Sequence, residues 1–330
     1  MATRRRDRSL SEVGEIAFLA ALRRMRVANR DVEVGIGDDC AVVRADRGRW
    51  LLTTDALVED VHFRWRWQSA RMLGCRAFAV NASDIAAMAG APRFALLSIA
   101  LPRRASVNDL SDVVAGFSTA AREVDCALVG GNLSAAREWM ISVTLVGKAS
   151  GAAVTRSGGR PDDLVYVTGT LGAAAFGREI LLGRRRGPRR ALGAFLRPRA
   201  RLDAAAMLAR TRVATAAIDV SDGLLSDLGH LCEASGVGAA VDADRLPLSN
   251  DVRRLASQER LRLALSGGED YELVFTVPPR HRRELENAAR EARVVVTAIG
   301  RLTRQRGITV SGVASASALR RAGHDHFRAR

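Results

Sequence analysis

The chain has 330 residues, of which 48% are hydrophobic and 26% are charged, and its formal net charge is +15. Such a composition is typical of a globular protein, and the length allows two domains with a core each. No apolar run reaches the roughly 20 residues of a membrane span, and no apolar segment follows the charged start MATRRRDRSL. We therefore expect a cytoplasmic protein with no signal peptide and no membrane partner.

The basic charge is almost entirely arginine, because Lys148 is the only lysine among 51 basic residues. The densest run, at residues 184–190, reads RRRGPRR. Aromatic residues make up 5% of the chain, too few for base-stacking platforms interleaved with the charge. We therefore interpret the run as a solvated loop and expect no nucleic-acid partner.

The four cysteines are far apart in the sequence and form no CxxC pair. This spacing argues against a zinc or disulfide framework and favours reduced, buried thiols. The single lysine excludes a Walker A loop, because Ser142 and Ala149 stand where that motif needs Gly and Ser or Thr. Any nucleotide chemistry must rely on arginine, backbone and metal.

Periodicity predicts alternating helices and strands in the first half of the chain. The predicted helices cover residues 11–27, 69–90 and 108–124, and the predicted strands cover residues 40–43, 50–54, 94–101, 126–129 and 140–146. The short strand at 126–129 is expected to end in the pair Gly130–Gly131. A Gly pair after a strand permits close approach of phosphate, although most such pairs are ordinary turns.

The Gly-rich segment at residues 150–163 predicts a domain boundary, which gives an N-terminal domain of residues 1–150 and a C-terminal domain of residues 151–330. After this boundary we expect further strands and helices in alternation. The predicted strands cover residues 164–169, 217–220, 271–277 and 294–300, and the predicted helices cover residues 173–182, 199–210, 224–235 and 281–292. The pattern indicates an α/β (α+β) protein.

Acidic residues recur in turns flanked by Gly, Ala, Ser or Thr: Asp38 and Asp39, Asp55, Asp84, Asp219 with Asp222, and Glu269 with Asp270. Two carboxylates about 4 Å apart repel by roughly 4 kcal/mol at an effective dielectric of 20, so their convergence requires a cation. Such hard oxygen ligands suit magnesium held together with phosphates. Five such turns indicate a distributed site for phosphoryl transfer.

Each of these residues also has a structural interpretation. Asp38 and Asp39 alone fit a solvated turn, and Asp84 fits a helix position held by an arginine. Ser221 or Asp222 fits a helix N-cap, which leaves Asp219 unexplained. A lone His62 beside an apolar residue is more often structural than catalytic.

Seven segments in order resemble the thiamine-monophosphate kinase family of the aminoimidazole ribonucleotide synthetase-like superfamily. They read GIGDDCAVV, TTDALVEDVHF, AVNASDIAAMAG, VGGN, TRSGG, AIDVSDGLLSDLGHL and SGGEDYELVF. The resemblance implies two α/β domains: an N-terminal ATP- and magnesium-binding domain whose sheets pair across a homodimer, and a C-terminal domain that completes the site. It also implies transfer of the γ-phosphoryl group of ATP, as co-substrate, to thiamine monophosphate, giving thiamine diphosphate with several Mg²⁺ ions.

The resemblance assigns roles residue by residue. Positions that match magnesium ligands are Asp39, Thr53, Thr54, Asp55, Asp84, Asn132, Asp219 and Asp222. Positions that match nucleotide contacts are Gly131, Asn132, Arg156 and Ser221, and those that match substrate contacts are His62, Glu269 and His324.

Two of these positions depart from the family pattern. Asn132 stands where the family often has Asp, so a neutral amide replaces a charged ligand. His324 stands where the family usually has an aromatic residue, and a protonated histidine there would repel the cationic thiazolium.

Two alternative functions are weaker. Another ATP-using enzyme of the superfamily would not need the DVHF and GGEDYEL segments. A non-catalytic basic protein that binds nucleotides or nucleic acid conflicts with acids in the ligand cleft, which would repel nucleic acid.

Overall fold

The structure, a computed structural model, describes residues 31–34, 42–43 and 47–312. The predicted helix at residues 11–27, the Asp38–Asp39 turn and His324 lie outside the described residues. The chain divides into two compact units: the N-terminal unit comprises Met1–Ala82 and Pro92–Lys148, and the C-terminal unit comprises Ser83–Ala91 and Ala149–Arg330. Within the described part of the chain, no helix has the length and apolarity needed to cross a membrane.

The described residues of the N-terminal unit form a two-stranded antiparallel ladder, a four-stranded sheet of order β3-β6-β4-β5, and two α-helices. The strands are β1 (Val32–Val34), β2 (Val42–Val43), β3 (Arg49–Val58), β4 (Gly90–Leu101), β5 (Ala127–Ala135) and β6 (Met140–Ala149). The helices are α1 (Ala70–Ala87) and α2 (Val107–Arg122). The last residues of α1, from Ser83 onward, belong to the C-terminal unit.

Two glycines set the close approach of α1 and α2. A Cβ atom on Gly74 would lie 2.0 Å from the Val113 carbonyl oxygen, and one on Gly116 would lie 2.0 Å from that of Arg71. Ser106 begins α2 as a side-chain N-cap that accepts the Asp109 N–H at 3.0 Å. Glycine is therefore required at positions 74 and 116 for the two helices to pack this closely.

The prediction that the strand at residues 126–129 ends at the Gly pair is wrong, because β5 continues through both glycines to Ala135. In the parallel β4–β5 ladder Gly131 pairs with Leu97. A Cβ atom on Gly131 would lie 1.9 Å from the Leu97 carbonyl oxygen. Gly131 is thus required by strand pairing, whatever else it contacts.

The C-terminal unit is built on a six-stranded sheet of order β12-β9-β11-β7-β10-β8, antiparallel except for the β12–β9 pair. Its strands are β7 (Leu164–Thr168), β8 (Ala216–Val220), β9 (Gly238–Asp242), β10 (Glu272–Val277), β11 (Val296–Thr303) and β12 (Gly307–Ser311). Its helices are α3 (Ala173–Leu181), α4 (Gly193–Leu196), α5 (Leu202–Thr211), α6 (Leu224–Ser235), α7 (Asn250–Arg253), α8 (Ser257–Ser266) and α9 (Arg282–Ala292).

Both faces of this sheet are buried, which explains its nearly continuous apolar strands. On one face, Val165 and Val167 of β7 join a cluster with residues of α6 and α8. On the other face, Tyr166 stacks on Phe275 with ring centroids 5.7 Å apart, in a cluster with residues of α5 and α9. The unit is a sheet between two helical layers, in agreement with the predicted mixed α/β class.

The described cysteines confirm the expectation of buried thiols only in part. Cys126 and Cys232 are buried and Cys75 is half-buried, all three as free thiols. Burial raises the pKa of Cys126 to about 12 and that of Cys232 to about 11, so both stay protonated. Cys40 lies outside the described residues.

The interpretation of residues 184–190 as a wholly solvated loop is wrong for two arginines, of which Arg190 donates from Nη2 to Asp251 at 2.5 Å. Arg185 donates from Nε to Glu179 of α3 at 3.1 Å and from Nη1 to Glu259 of α8 at 3.0 Å. Its guanidinium also lies 5.7 Å from the ring centroid of Phe176. Arg185 therefore joins two helices, whereas Arg184 and Arg186 are exposed.

Replacing Arg185 with Ser should lower the free energy of unfolding by about 1–2 kcal/mol, because it removes charge-assisted bonds in a partly exposed setting. Arg186→Ser is the matched control and should stay within about 0.5 kcal/mol of wild type. Urea unfolding of the three proteins measures the difference. Equal stabilities of the two variants would show that Arg185 does not join the helices.

Candidate active site

The acidic turn of the C-terminal unit follows β8, where Ser221, Asp222 and Gly223 lead into α6. The interpretation of Ser221 or Asp222 as a side-chain N-cap is wrong: the N-cap residue is Gly223, with a φ of 119° and no side-chain cap. Asp227, one turn into α6, instead accepts the N–H groups of Asp222 at 3.1 Å and Gly223 at 3.0 Å. The Asp222 side chain therefore does not cap the helix, and Asp227 fixes the Asp222 backbone.

The SGGEDYEL segment lies directly against this turn. The N–H of Glu269 donates to the Ser221 carbonyl at 2.7 Å, and the N–H of Tyr271 donates to the Val220 carbonyl at 2.9 Å. A Cβ atom on Gly268 would lie 2.4 Å from the Ser221 carbonyl oxygen, so this position requires glycine. Glu269 itself has a φ of 72°, in the left-handed region that a non-glycine residue rarely adopts. Two predicted motifs thus meet, and Glu269 lies beside Ser221.

Two further acids hold the SGGEDYEL segment in place. Asp270 accepts the N–H groups of Gly172 at 2.7 Å and Ala174 at 3.1 Å, at the start of α3. Glu272 is only 4% exposed and accepts the Thr168 hydroxyl at 2.6 Å and Nε of Arg201 at 2.5 Å. The left-handed Glu269 is therefore held by contacts on its C-terminal side as well as by Ser221.

Asp219 is the buried centre of the acidic residues. It is 4% exposed and accepts the hydroxyl of Ser83, a residue near the end of α1, at 2.8 Å. Burial and, next, the nearby charge of Asp84 raise the pKa of Asp219 to about 7, although Ser83 and Arg156 oppose the shift. Three predicted site residues, Asp84, Arg156 and Asp219, therefore lie within electrostatic reach of one another.

Asp227 is a further acid of this cluster, beside Asp84, Asp219 and Asp222. Burial raises its pKa to about 8, with the charges of Asp219 and Asp222 acting in the same direction. Among residues 31–34, 42–43 and 47–312, no three acidic, His or Cys side chains form a closed metal cage. The arrangement fits Mg²⁺ nevertheless, since this ion is usually held by one or two carboxylates together with substrate phosphates.

Three predicted ligands of the N-terminal unit, Thr53, Thr54 and Asp55, lie inside β3, so the expectation that Asp55 lies in a turn after this strand is wrong. Thr54 donates to the Val143 carbonyl at 2.9 Å, and the Asp55 carboxylate accepts the N–H of Ala56 at 2.6 Å. Thr53 is half-buried, and Thr54 and Asp55 are exposed. Successive strand residues face opposite sides of the sheet, so Thr53 and Asp55 share one face and Thr54 lies on the other.

The other predicted contacts are exposed or half-exposed. Asn132 donates from Nδ2 to the Ser134 hydroxyl at 2.9 Å. Arg156 is exposed, and its carbonyl accepts the Ser235 hydroxyl at 2.8 Å. His62 is half-buried in the turn after β3, where its Nδ1 accepts the N–H of Val58 at 3.1 Å. The predicted roles of Asp39 and His324 stay predictions, because both residues lie outside the described residues.

Comparison with known families divides the chain much as the structure does. Residues 37–149 match the N-terminal domain of AIR synthase related protein, and residues 160–313 match its C-terminal domain. The thiamine-monophosphate kinase of Salmonella typhimurium is 39% identical over 303 residues, covering 88% of this chain and 90% of that protein. That of Aquifex aeolicus is 35% identical and covers 92% and 96%, respectively.

Solved structures agree with these sequence matches. The thiamine-monophosphate kinase of Stenotrophomonas maltophilia superposes with a TM-score of 0.80 at 34% identity, over 94% of this chain and all of that chain. AaThiL complexed with AMPPCP and TMP superposes with a TM-score of 0.76 at 33% identity, over 99% of this chain and 100% of that chain. The hydrogenase maturation protein HypE of E. coli, at 20% identity and a TM-score of 0.70, shares the fold alone.

Asp227→Ala should lower the melting temperature of the protein, because it leaves the N–H groups of Asp222 and Gly223 without their acceptor. An unsatisfied buried group costs about 1–3 kcal/mol. Asp227→Asn keeps an oxygen acceptor in place and should lose less than half as much. Thermal unfolding of both variants beside wild type provides the measurement, and equal losses would show that Asp227 does not hold the turn.

Proposed function

This chain belongs to the thiamine-monophosphate kinase family and is an ATP-dependent kinase of thiamine monophosphate; we propose that magnesium ions assist a direct transfer of the γ-phosphoryl group. The observation that best supports direct transfer is the buried acidic cluster around Asp219 in the C-terminal unit. Clustered carboxylates of this kind can hold cations, and Asp219, at 4% exposure, offers little access to an incoming phosphoryl group. Phosphoryl transfer depends mainly on positioning and on neutralising charge.

In this proposal Asp84, Asp219 and Asp222 of the C-terminal unit supply carboxylate oxygens to magnesium. The family pattern adds Asp39, Thr53, Thr54, Asp55 and Asn132 as further ligands. Bound magnesium would neutralise the phosphates and the charge that develops on the transferred group. The donor set fits, because it consists of hard oxygens and because the burial of Asp219 next to Asp84 disfavours two negative charges without a cation.

Other residues are proposed to bind ATP and thiamine monophosphate. Arg156, which is exposed and within electrostatic reach of Asp219, presents a guanidinium fork that can hold two phosphate oxygens. Ser221 and the Gly131–Asn132 segment are assigned to ATP. Glu269, held in its left-handed conformation beside Ser221, and His62 are assigned to thiamine monophosphate, with His324 as a further substrate contact.

We also propose that the protein is a cytoplasmic homodimer that pairs the sheets of two N-terminal units. The exposed face of this sheet carries large apolar side chains on three of its strands. Leu52 of β3 is 72% exposed, and Leu96 of β4 and Met140 of β6 are each 42% exposed. Leu96 and Met140 each lie between two buried residues, and Leu52 follows the buried Leu51, as expected when the opposite face is packed. Large exposed apolar side chains on neighbouring strands of one sheet are typical of an interaction site.

Purified protein supplied with ATP, Mg²⁺ and thiamine monophosphate should release ADP and form thiamine diphosphate, and chelation of the metal should stop both. A coupled assay measures ADP, and chromatography identifies the thiamine product. The control replaces thiamine monophosphate with the aminoimidazole ribonucleotide precursor. ADP release that follows this precursor and ignores thiamine monophosphate would identify another enzyme of the superfamily.

Leu96→Asp should convert the dimer to a monomer at micromolar concentration, because it places a charge on the apolar face of the sheet. Val295→Asp is the matched control, since Val295 is 65% exposed on the C-terminal unit and should leave the mass unchanged. Light scattering coupled to size-exclusion chromatography gives both masses. A wild-type monomer, or a dimer that survives Leu96→Asp, would contradict pairing through this face.

A further inference from the structure

The C-terminal unit contains a cavity of about 230 Å³ beside the start of β8. Its wall consists of Ala89, residues 150–155 and 157, residues at the C-terminal end of α5, and residues 214–215. All of them belong to this unit. The volume equals that of about seven or eight water molecules at roughly 30 Å³ each, and it is smaller than the roughly 300–1,000 Å³ of sites for drug-sized ligands. A small ion or molecule therefore fits, whereas a nucleotide does not.

The segment at residues 150–157 is anchored to the rest of the unit. The N–H of Val154 donates to the Met88 carbonyl at 3.2 Å, and the N–H of Ala217 in β8 donates to the Thr155 carbonyl at 3.0 Å. β8 is an edge strand of the six-stranded sheet, so the second bond attaches the segment to the edge of the sheet. The cavity wall is therefore a fixed part of the fold.

Arg212 is the only charged residue of the cavity wall. Its guanidinium lies against Gly151, where a Cβ atom would be 3.7 Å from Nη2. Within the part of the chain that the structure describes, no carboxylate or other acceptor pairs with this guanidinium. Ser150 and Ser157, both exposed, add hydroxyl groups to the wall. The cavity thus presents one cation and further hydrogen-bond donors, and its wall contains no acidic residue.

Arg212 also has a structural role that needs no ligand. It ends α5 with a φ of 56°, and its N–H donates to the Leu208 carbonyl at 2.9 Å. A cation at this end of a helix offsets the negative end of the helix dipole. Arg293 ends α9 with the same φ of 56°, and it is not part of the cavity wall. The two arginines therefore share the helix-end role, and only Arg212 adds a charge to the cavity.

We propose that this cavity binds a small oxyanion through the guanidinium of Arg212 and the hydroxyls of Ser150 and Ser157. A planar guanidinium can bond two oxygens of a phosphate, sulfate or carboxylate group at once, and hydroxyls can donate to the others. A wall with one cation and no acid attracts an anion. Arg156, which is assigned to ATP, does not belong to the wall. The site is therefore separate from the proposed nucleotide contacts and does not depend on them.

Calorimetric titration of the full-length protein with inorganic phosphate, without metal or nucleotide, tests this site. Wild type should bind phosphate with a Kd of about 1 mM, as expected for a few bonds to a small ion. Arg212→Gly removes the guanidinium and suits the left-handed backbone, so it should fold and bind phosphate at least tenfold more weakly. Arg293→Gly makes the same change at the same backbone conformation outside the cavity, and it should bind phosphate as wild type does.

Ser150→Ala leaves the end of α5 unchanged and should weaken phosphate binding several-fold, which keeps the site testable if Arg212→Gly fails to fold. Parallel titrations with sulfate and acetate identify the class of anion, since a site for tetrahedral ions prefers phosphate and sulfate, whereas a carboxylate site prefers acetate. Wild-type protein that binds none of the three ions would overturn the proposal. Wild-type affinity in the folded variants, or an equal loss in Arg293→Gly, would overturn it as well.

Activity separates this inference from the proposed function. Without added phosphate, kcat and both KM values of Arg212→Gly should equal those of wild type, because Arg212 is not among the residues assigned to ATP, magnesium or thiamine monophosphate. An active enzyme without Arg212-dependent phosphate binding would refute the anion site alone. A protein that binds phosphate through Arg212 and does not phosphorylate thiamine monophosphate would refute the proposed function alone.

Discussion

The structure of the C-terminal unit depends on placing several carboxylates close together where water is scarce. Asp219 is 4% exposed and has the charge of Asp84 nearby, and Asp227 is 2% exposed and bonded to the backbone of Asp222. Two unit charges about 4 Å apart interact by roughly 4 kcal/mol at an effective dielectric of 20, a large fraction of the stability of a domain. A fold selected for stability alone would avoid this cluster, whereas a site for magnesium and polyphosphate requires it.

The rest of the unit compensates for this repulsion by rigid support. Asp227 fixes the turn after β8 from one side, and the SGGEDYEL segment fixes it from the other through the N–H of Glu269. Behind that segment, the Glu272 carboxylate binds Arg201 and Thr168. The carboxylates proposed to bind magnesium are thus supported by Asp227, Glu272 and Arg201, which are not proposed ligands. A catalytic site generally needs such supporting residues.

Local helices and strands could be predicted from the sequence, whereas contacts between residues far apart in the chain could not. Residues 224–235 are helical as predicted, because their apolar spacing is a local property. β9 and β12 were not predicted: GAAVD has one β-branched residue, and GITVS is a five-residue segment that follows a polar turn near the end of the chain. The Thr168–Glu272 bond joins residues more than a hundred positions apart, and no spacing rule reaches so far. Asp227 had a local signal, an acid one turn after Gly223, although a helix surface would show the same pattern.

The central claim is that the buried carboxylates of the C-terminal unit hold the metal ions of the reaction. The most direct test is a titration with Mn²⁺ followed by electron paramagnetic resonance, in the presence of AMPPCP, for wild type and Asp219→Asn. Asn is close in size to Asp and can still accept the Ser83 hydroxyl, so the fold should persist while one charged ligand is lost. We expect the variant to bind fewer Mn²⁺ ions, or to bind them at least tenfold more weakly, a loss of about 1.4 kcal/mol in binding free energy. Identical numbers and affinities in the two proteins would contradict it.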